Sequence, residues 1–378
     1  MRKILALVLV GCLLVATGFA NIFDKTSKVV AKTVIKHTDG GTKGNFGEDG
    51  VLIVDGECVT QAYYNLIYSS MFNQAYQYYI YYMGMGDDWL SQTVEDKEGV
   101  TIADDILNAT NEYIAEEIVV LNLAKENGIV VDEAFKERIA AIRQQTIDGC
   151  GGQEAYKIVL EEIRTNDEAY TKSIERGLIY ETCVSALTEE GGAAYVTLEE
   201  AEKLFSEKYL RVQHILISES ESYDDEGNLI PARSKDEVNA IIDEIYAKLE
   251  SGEEFDSLID MYNEDPGLTS GEYYTFTDGQ MVEEFEAASK KLKVGEYTKK
   301  AVRSDFGYHI IKRYEVEAEG AEFENYMATC SQEKLINIIR ERYDNANIAI
   351  NNEVLKPYID EWNKKLQNPM DDSETMNG

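Results

Sequence analysis

From Thr60 to about residue 205 the apolar positions recur every three or four residues, the spacing of helices with one buried face. The stretch VLIVDGECVT reads as a short strand and an Asp-Gly turn, ending at Thr60, which is placed to cap the first helix. In that helix Tyr64, Tyr68, Phe72 and Tyr76 form one stripe. Tyr63, Tyr78, Tyr79, Tyr81 and Tyr82 broaden it beyond what one small core absorbs, and the surplus suits an adaptable surface for unfolded chains. Further helices are predicted for ADDILNATNEYIAEEIVVLNLAKENG, ending at Gly128, for DEAFKERIAAIRQQ, opened by Asp132, and for NDEAYTKSIERGLIYETCVSAL. A capping box, Thr197-Leu198-Glu199-Glu200, opens another. No catalytic cluster falls in this half.

At residue 209 the period changes from helical to alternating. In YLRVQHILIS the residues Leu210, Val212, His214 and Leu216 share one strand face. A polar loop, ESESYDDEGNLIPARS, follows, then a helix KDEVNAIIDEIYAKLESG, a short helix running into a Pro-Gly turn in EEFDSLIDMYNEDPG, and a helix in QMVEEFEAASKKL. VGEYTKKAV reads as a connection and edge strand and GYHIIKRYE as a final strand. From about residue 317 the pattern is helical again, through FENYMATCSQEKLINIIRERYDNANIAI and NNEVLKPYIDEWNKKLQ, before a polar tail.

Composition narrows the function classes. A chain of 378 residues, 44% hydrophobic with only 4 prolines, buries sizeable cores and is long enough for two or three modules. Its formal net charge is −35, from 71 acidic and 36 basic residues, so nucleic-acid backbones and anionic lipid headgroups repel it. The opening MRKILALVLVGCLLVATGFA is an export signal: Arg2 and Lys3, then an uncharged apolar run. Three readings compete for it. Gly18-Phe19-Ala20 resembles a signal-peptidase site, Leu9-Val10-Gly11-Cys12 a lipoprotein box that would lipidate Cys12, and Ile4 to Phe23 is long enough for an uncleaved membrane anchor. Each puts the rest of the chain outside the cytoplasm. Cys58, Cys150, Cys183 and Cys330 show no CxxC spacing, which leaves disulfides or buried thiols open and points to no metal site.

The chain has 3 histidines. One of them, His309, sits in an apolar strand directly behind a Phe-Gly-Tyr turn, in SDFGYHIIKR. Taken in order, VQHILIS, EEFDSLIDMYNEDPG, TDGQMVEEFEAASKKLKVGE and SDFGYHIIKR resemble the parvulin family of peptidyl-prolyl cis–trans isomerases. The flanking helical halves, with VDGECVT at the front, resemble in layout the PrsA-type and SurA-type foldases of bacterial envelopes.

The resemblance implies an α+β fold: a four-stranded antiparallel sheet with surrounding helices, inserted between two helical halves of a chaperone domain. It implies a site in which His214 and His309 lie side by side on central strands, Asp265 faces the substrate amide and Ser304 stands at the rim. Met281 and Phe285, four residues apart on a shared helix, would hold the prolyl ring, with Phe276 beside them. No cofactor or metal is needed, because bond rotation requires neither nucleophile nor redox chemistry. Two departures stand out. Tyr273 and Tyr274 occupy positions where the family usually has Leu and Gly, and the loop after the first strand is acidic where phosphoserine-directed parvulins are basic.

The expected divisions are a signal peptide or anchor over 1–20, a flexible linker over 21–50, a helical chaperone-like domain over 51–206 and the isomerase domain over 207–316. Helices over 317–368 pack back on the N-terminal domain, and 369–378 is a tail. The expected function is an extracytoplasmic isomerase acting on unfolded or partly folded exported polypeptides with X–Pro bonds. The alternative is a holding chaperone whose parvulin module binds peptide and turns over little.

Overall fold

The computed structural model describes residues 46–95, 97–223 and 229–367; the export signal, Cys12 and the polar tail lie outside them. The chain forms two compact units, one from the segments through Tyr195 and from Gln332 onward, the other Val196–Ser331.

The first unit opens with strands β1 (Gly50–Val54) and β2 (Glu57–Thr60), a hairpin turning at Asp55-Gly56. Both turn residues have positive φ, 49° and 86°, as the tight turn of a two-residue hairpin demands. Only the first arm of this hairpin was expected as a strand. Thr60 Oγ1 caps α1 (Gln61–Tyr76), whose Tyr63, Tyr64, Tyr68 and Phe72 are buried. A π-helical turn over Gln77–Tyr82 follows and leaves Tyr78, Tyr81 and Tyr82 exposed. Then come α2 (Ile102–Glu126), α3 (Glu133–Gly149), α4 (Gln153–Glu162) and α5 (Asp167–Thr188). Thr101, Asp132 and Asn166 cap α2, α3 and α5 through side-chain oxygens. Inside this core the buried Glu117 carboxylate accepts from Tyr63 Oη at 2.6 Å and Arg176 Nη1 at 2.6 Å, and Arg176 also reaches Glu57. The buried charge is thus paired and hydrogen-bonded, the condition for tolerating it there.

The second unit holds α6 (Leu198–Lys208), β3 (Leu210–Ile217), β4 (Ser222–Tyr223), β5 (Leu229–Ile230), α7 (Lys235–Glu250), α8 (Phe255–Tyr262), β6 (Tyr274–Phe276), α9 (Glu283–Lys291), β7 (Val302–Ser304) and β8 (Gly307–Tyr314). Strands β6-β3-β8-β7 form one antiparallel sheet in that order. Strand β3 is buried on both faces, not one. Ile215 and Ile217 pack with Ile310 against α7 and α8, while Val212 joins Ile311, Phe276 and Phe285. The acidic loop after β3 contains the small β4-β5 hairpin, which its polarity hid.

Helix α10 (Gly320–Asp344) places Phe323, Tyr326 and Cys330 with Val196 and Phe205 in the second unit, while its residues from Gln332 belong to the first. The sequence pattern predicts helix through residue 350. Instead α10 ends before Asn345-Ala346-Asn347, and β9 (Ile348–Ile350) pairs with β1, Leu52 opposite Ile350. β-branched Ile348 and Ile350 suit a strand and satisfy an edge that would otherwise stand open. Helix α11 (Asn352–Gln367) then adds Leu355 and Ile359 to the first unit's core, and Asn363 accepts from Tyr68 Oη at 2.5 Å. Cys58, Cys150, Cys183 and Cys330 are free thiols. Among the described residues no helix is long and apolar enough to cross a membrane.

Candidate active site

His214 lies on β3 and His309 on the adjacent strand β8. In the register Leu216 faces His309 and His214 faces Ile311, so the two rings are diagonal neighbours on one sheet face. Both are buried, at 3% and 4% exposure. Their Nδ1 atoms are 3.0 Å apart, His214 Nε2 is 2.7 Å from Asp265 Oδ2, and His309 Nε2 is 2.7 Å from Ser304 Oγ. Ser304 Oγ accepts from Phe306 N–H at 3.1 Å, closing the β7–β8 turn. That turn needs Gly307, because φ there is 137° and a Cβ would stand 2.4 Å from the Ile217 carbonyl oxygen.

The proton positions follow from the acceptors. Asp265 is a carboxylate, so His214 Nε2 carries hydrogen and its Nδ1 is bare in the neutral ring. With both rings neutral, His309 Nδ1–H donates to His214 Nδ1 and His309 Nε2 accepts from the Ser304 hydroxyl. In that state every hydrogen in the chain points toward Asp265. Burial, then His214, pulls the His309 pKa down to about 4, which keeps this ring neutral at physiological pH.

Asp265 sits in the turn after α8. Its Oδ1 accepts from Gly267 N–H at 2.8 Å, so the carboxylate is both an Asx-turn acceptor and the end of the histidine chain. The hydrogen bond from His214 is the main cause that lowers its pKa to about 2; burial opposes this, and Gly267 and Tyr274 assist it. Asn263 fixes the turn from below. Its Oδ1 accepts from Leu216 N–H and Asp265 N–H, and its Nδ2 donates to the Asp265 and Leu268 carbonyls. Sequence reasoning passed over Asn263; an Asn directly ahead of Glu-Asp-Pro-Gly was the available signal.

Tyr274 is the second residue missed as a partner. Its Oη donates to Asp265 Oδ2 at 3.0 Å, the oxygen that His214 also grips. The same hydroxyl lies over Gly267, where a Cβ would meet it at 2.5 Å. Tyr273 behaves differently. It packs edge-on against Tyr314 and beneath the Arg211 guanidinium, 3.9 Å from the ring centre, on the opposite face of the sheet. It does not border the histidines.

Phe285 meets both imidazoles edge-to-face, at 5.2 and 5.3 Å, and Phe276 at 6.0 Å. Half-buried Met281 packs against the same cluster. Met281 and Phe285 do not share a helix, however. Val282 is extended and caps α9, so Met281 belongs to the segment before it. The turn at Thr277–Gln280 sets that segment, Gln280 N–H donating to the Thr277 carbonyl. A cavity of about 340 Å³ opens beside Ser304, walled by Glu219, Glu284, Arg303, Asp305 and Phe306.

Comparison with known proteins adds an independent view. The PPIC-type PPIase domain family matches residues 196–317. The foldase protein PrsA of Geobacillus kaustophilus is 34% identical over 217 residues, covering 50% of this chain and 68% of that protein. The foldase protein PrsA 4 of Bacillus cereus is 38% identical over 141 residues, 34% of this chain and 49% of that protein, so about half of its length is spanned. Among solved structures, the crystal structure of the peptidylprolyl isomerase PrsA from Bacillus cereus aligns with a TM-score of 0.29 at 22% identity, over 75% of this chain and 93% of that one.

Proposed function

We infer the working of the site from one premise: the chain belongs to the PrsA family of parvulin-type foldases and is a peptidyl-prolyl isomerase. We propose that it acts outside the cytoplasm on X–Pro bonds of unfolded or partly folded exported polypeptides, the export-type N-terminus supporting that location. Rotation about an X–Pro bond faces a barrier of roughly 20 kcal/mol, because resonance gives the C–N bond double-bond character. At the twisted transition state the resonance is lost, the carbonyl oxygen becomes less negative and the nitrogen becomes pyramidal. A catalyst has to favour that state over the planar one.

The arrangement around Asp265 suits this. The prolyl ring lies against half-buried Met281 and the edge of Phe285, with Phe276 buried beside them; this apolar wall excludes the water which would otherwise solvate the planar amide. Asp265, anionic at all physiological pH, faces the carbonyl side and disfavours the negative charge that resonance places on the carbonyl oxygen. His214 and Tyr274 hold the carboxylate in place, and His309 and Ser304 hold His214. The histidines thus orient and do not carry protons in turnover. The carrying observation is a carboxylate fixed by three donors while it remains partly exposed, its side chain at 20%. The test is prolyl-limited refolding of a substrate protein. Catalytic amounts of the full chain should shorten the slow phase, and Asp265→Ala should leave it near the uncatalysed rate. An unaltered slow phase with the wild-type chain defeats the reading.

A further inference from the structure

We propose that Tyr78, Tyr81 and Tyr82 of the first unit form a docking platform for an extended client segment that carries proline together with arginine or lysine. This rests on the foldase reading and names a contact for the client away from the Asp265 site.

The platform is built and exposed. Tyr78, Tyr81, Tyr82 and Met83 show 50, 68, 80 and 51% of their surfaces. They follow one another at the end of α1, where the helix widens to π geometry: Met83 N–H donates to the Tyr78 carbonyl at 3.0 Å. Such turns are rare and concentrate at functional places. The widening stacks Tyr78 on Tyr82 at 5.7 Å with their planes 20° apart, and sets Tyr81 edge-on to Tyr76 at 5.8 Å. Behind them stands a rigid base. Trp89 is buried and packs against Phe72, Tyr76 and Tyr79 at 5.5 to 6.0 Å. A folding core has no use for three exposed rings on such a base, and each tyrosine offers contact area at low entropic cost.

Charge selects the occupant. No Lys or Arg occurs from Phe46 to Asp96, and the next residue, Lys97, is paired with Asp105. Asp87 stands close: after burial and Tyr81, it raises the pKa of the Tyr76 phenol. Negative ring faces beside carboxylates attract guanidinium and ammonium groups. Aromatic surfaces also dock the preformed, extended conformation that proline imposes. An acidic segment is repelled, and so is a second copy of a chain with net charge −35.

The test uses the full chain and fluorescein-labelled decapeptides with two Arg–Pro, two Glu–Pro or two Arg–Ala steps, read by anisotropy. Arg–Pro should bind about tenfold tighter than either of the others, and more weakly as salt rises. Tyr78→Ser, Tyr81→Ser and Tyr82→Ser combined should weaken Arg–Pro binding about tenfold. Isomerisation of a short X–Pro tetrapeptide should not change. Tyr82→Ser alone, at the most exposed ring, should show a several-fold part of the loss and guards against misfolding of the triple variant. The proposal is overturned if the triple variant binds Arg–Pro as the wild type does, if the three peptides bind alike, or if sedimentation shows a wild-type dimer that the triple variant lacks. A wild-type chain that fails on the tetrapeptide defeats the foldase reading instead, while the anisotropy still decides whether the platform binds.

Discussion

His214 and His309 meet through like nitrogens, Nδ1 to Nδ1 at 3.0 Å. Like atoms attract only when one carries hydrogen and the other does not, so the pair has a direction. Asp265, which only accepts, sets it at one end, and the Ser304 hydroxyl, able to donate or accept, completes it at the other. A buried pair arranged in this way has a definite response to acid.

The first prediction is that the second unit loses stability as pH falls from about 6.5 to about 4. The His309 pKa lies at 6.5 unfolded and about 4 folded, so in this window the unfolded chain binds the extra proton. The full effect of such a shift is about 3 kcal/mol. Asp265, lowered from 3.8 to about 2, continues the loss below that window. Calorimetric unfolding at pH 7 and pH 4.5 checks this; an unmoved transition for this unit refutes it.

The first unit should respond the other way. Burial raises the Glu112 and Glu116 carboxyls on α2 to about 7, so the folded state holds their protons. The stabilisation is complete below the unfolded value of 4.5 and is lost as pH rises through 7. Glu112→Gln with Glu116→Gln should flatten this dependence between pH 5 and 8 in the same scans. A slope that persists in the double variant places its origin elsewhere.

Tyr274→Phe removes one of the three donors on Asp265. A neutral hydrogen bond of this kind contributes about 1 kcal/mol, so kcat should fall about fivefold with KM little altered. Tyr273→Phe, on the other sheet face, should leave both constants near wild type. Equal effects from the two substitutions would remove Tyr274 from the site.

Met281→Ala and Phe285→Ala should each cost about 1 to 3 kcal/mol of transition-state stabilisation through lost apolar contact. They differ in stability. Phe285 is 3% exposed, and its removal opens a cavity costing about 3 to 5 kcal/mol, whereas half-buried Met281 costs less. Denaturant unfolding set beside peptide kinetics separates the two effects.

Much of the second unit was legible because its elements are locally encoded. The alternation of β3, the amphipathic run of α7 and the Phe-Gly-Tyr turn before His309 each depend on near neighbours in sequence. What escaped depends on distant partners. Ile348–Ile350 is a strand because β1 presents an edge to it. Tyr274 reaches Asp265, and Tyr273 turns away, because β6 pairs with β3 and strand alternation sends successive side chains to opposite faces. Met281 was assigned to a helix on its four-residue spacing to Phe285, but the turn at Thr277–Gln280 delays the helix until Glu283. Asn263 bonds almost wholly to backbone, and hydropathy patterns carry no trace of that.

The most direct test of the account is exchange NMR on a short X–Pro peptide with catalytic amounts of the full chain, comparing wild type with Asp265→Ala. The account predicts that the wild type drives cis–trans exchange on the spectral timescale. It predicts that Asp265→Ala slows exchange at least about tenfold while the peptide binds as before, because the carboxylate acts on the twisted amide and not on the ground state. Peptide that binds the wild type without added exchange, or exchange untouched by Asp265→Ala, contradicts it; the first result would leave a holding chaperone, the second an isomerase that works without this carboxylate.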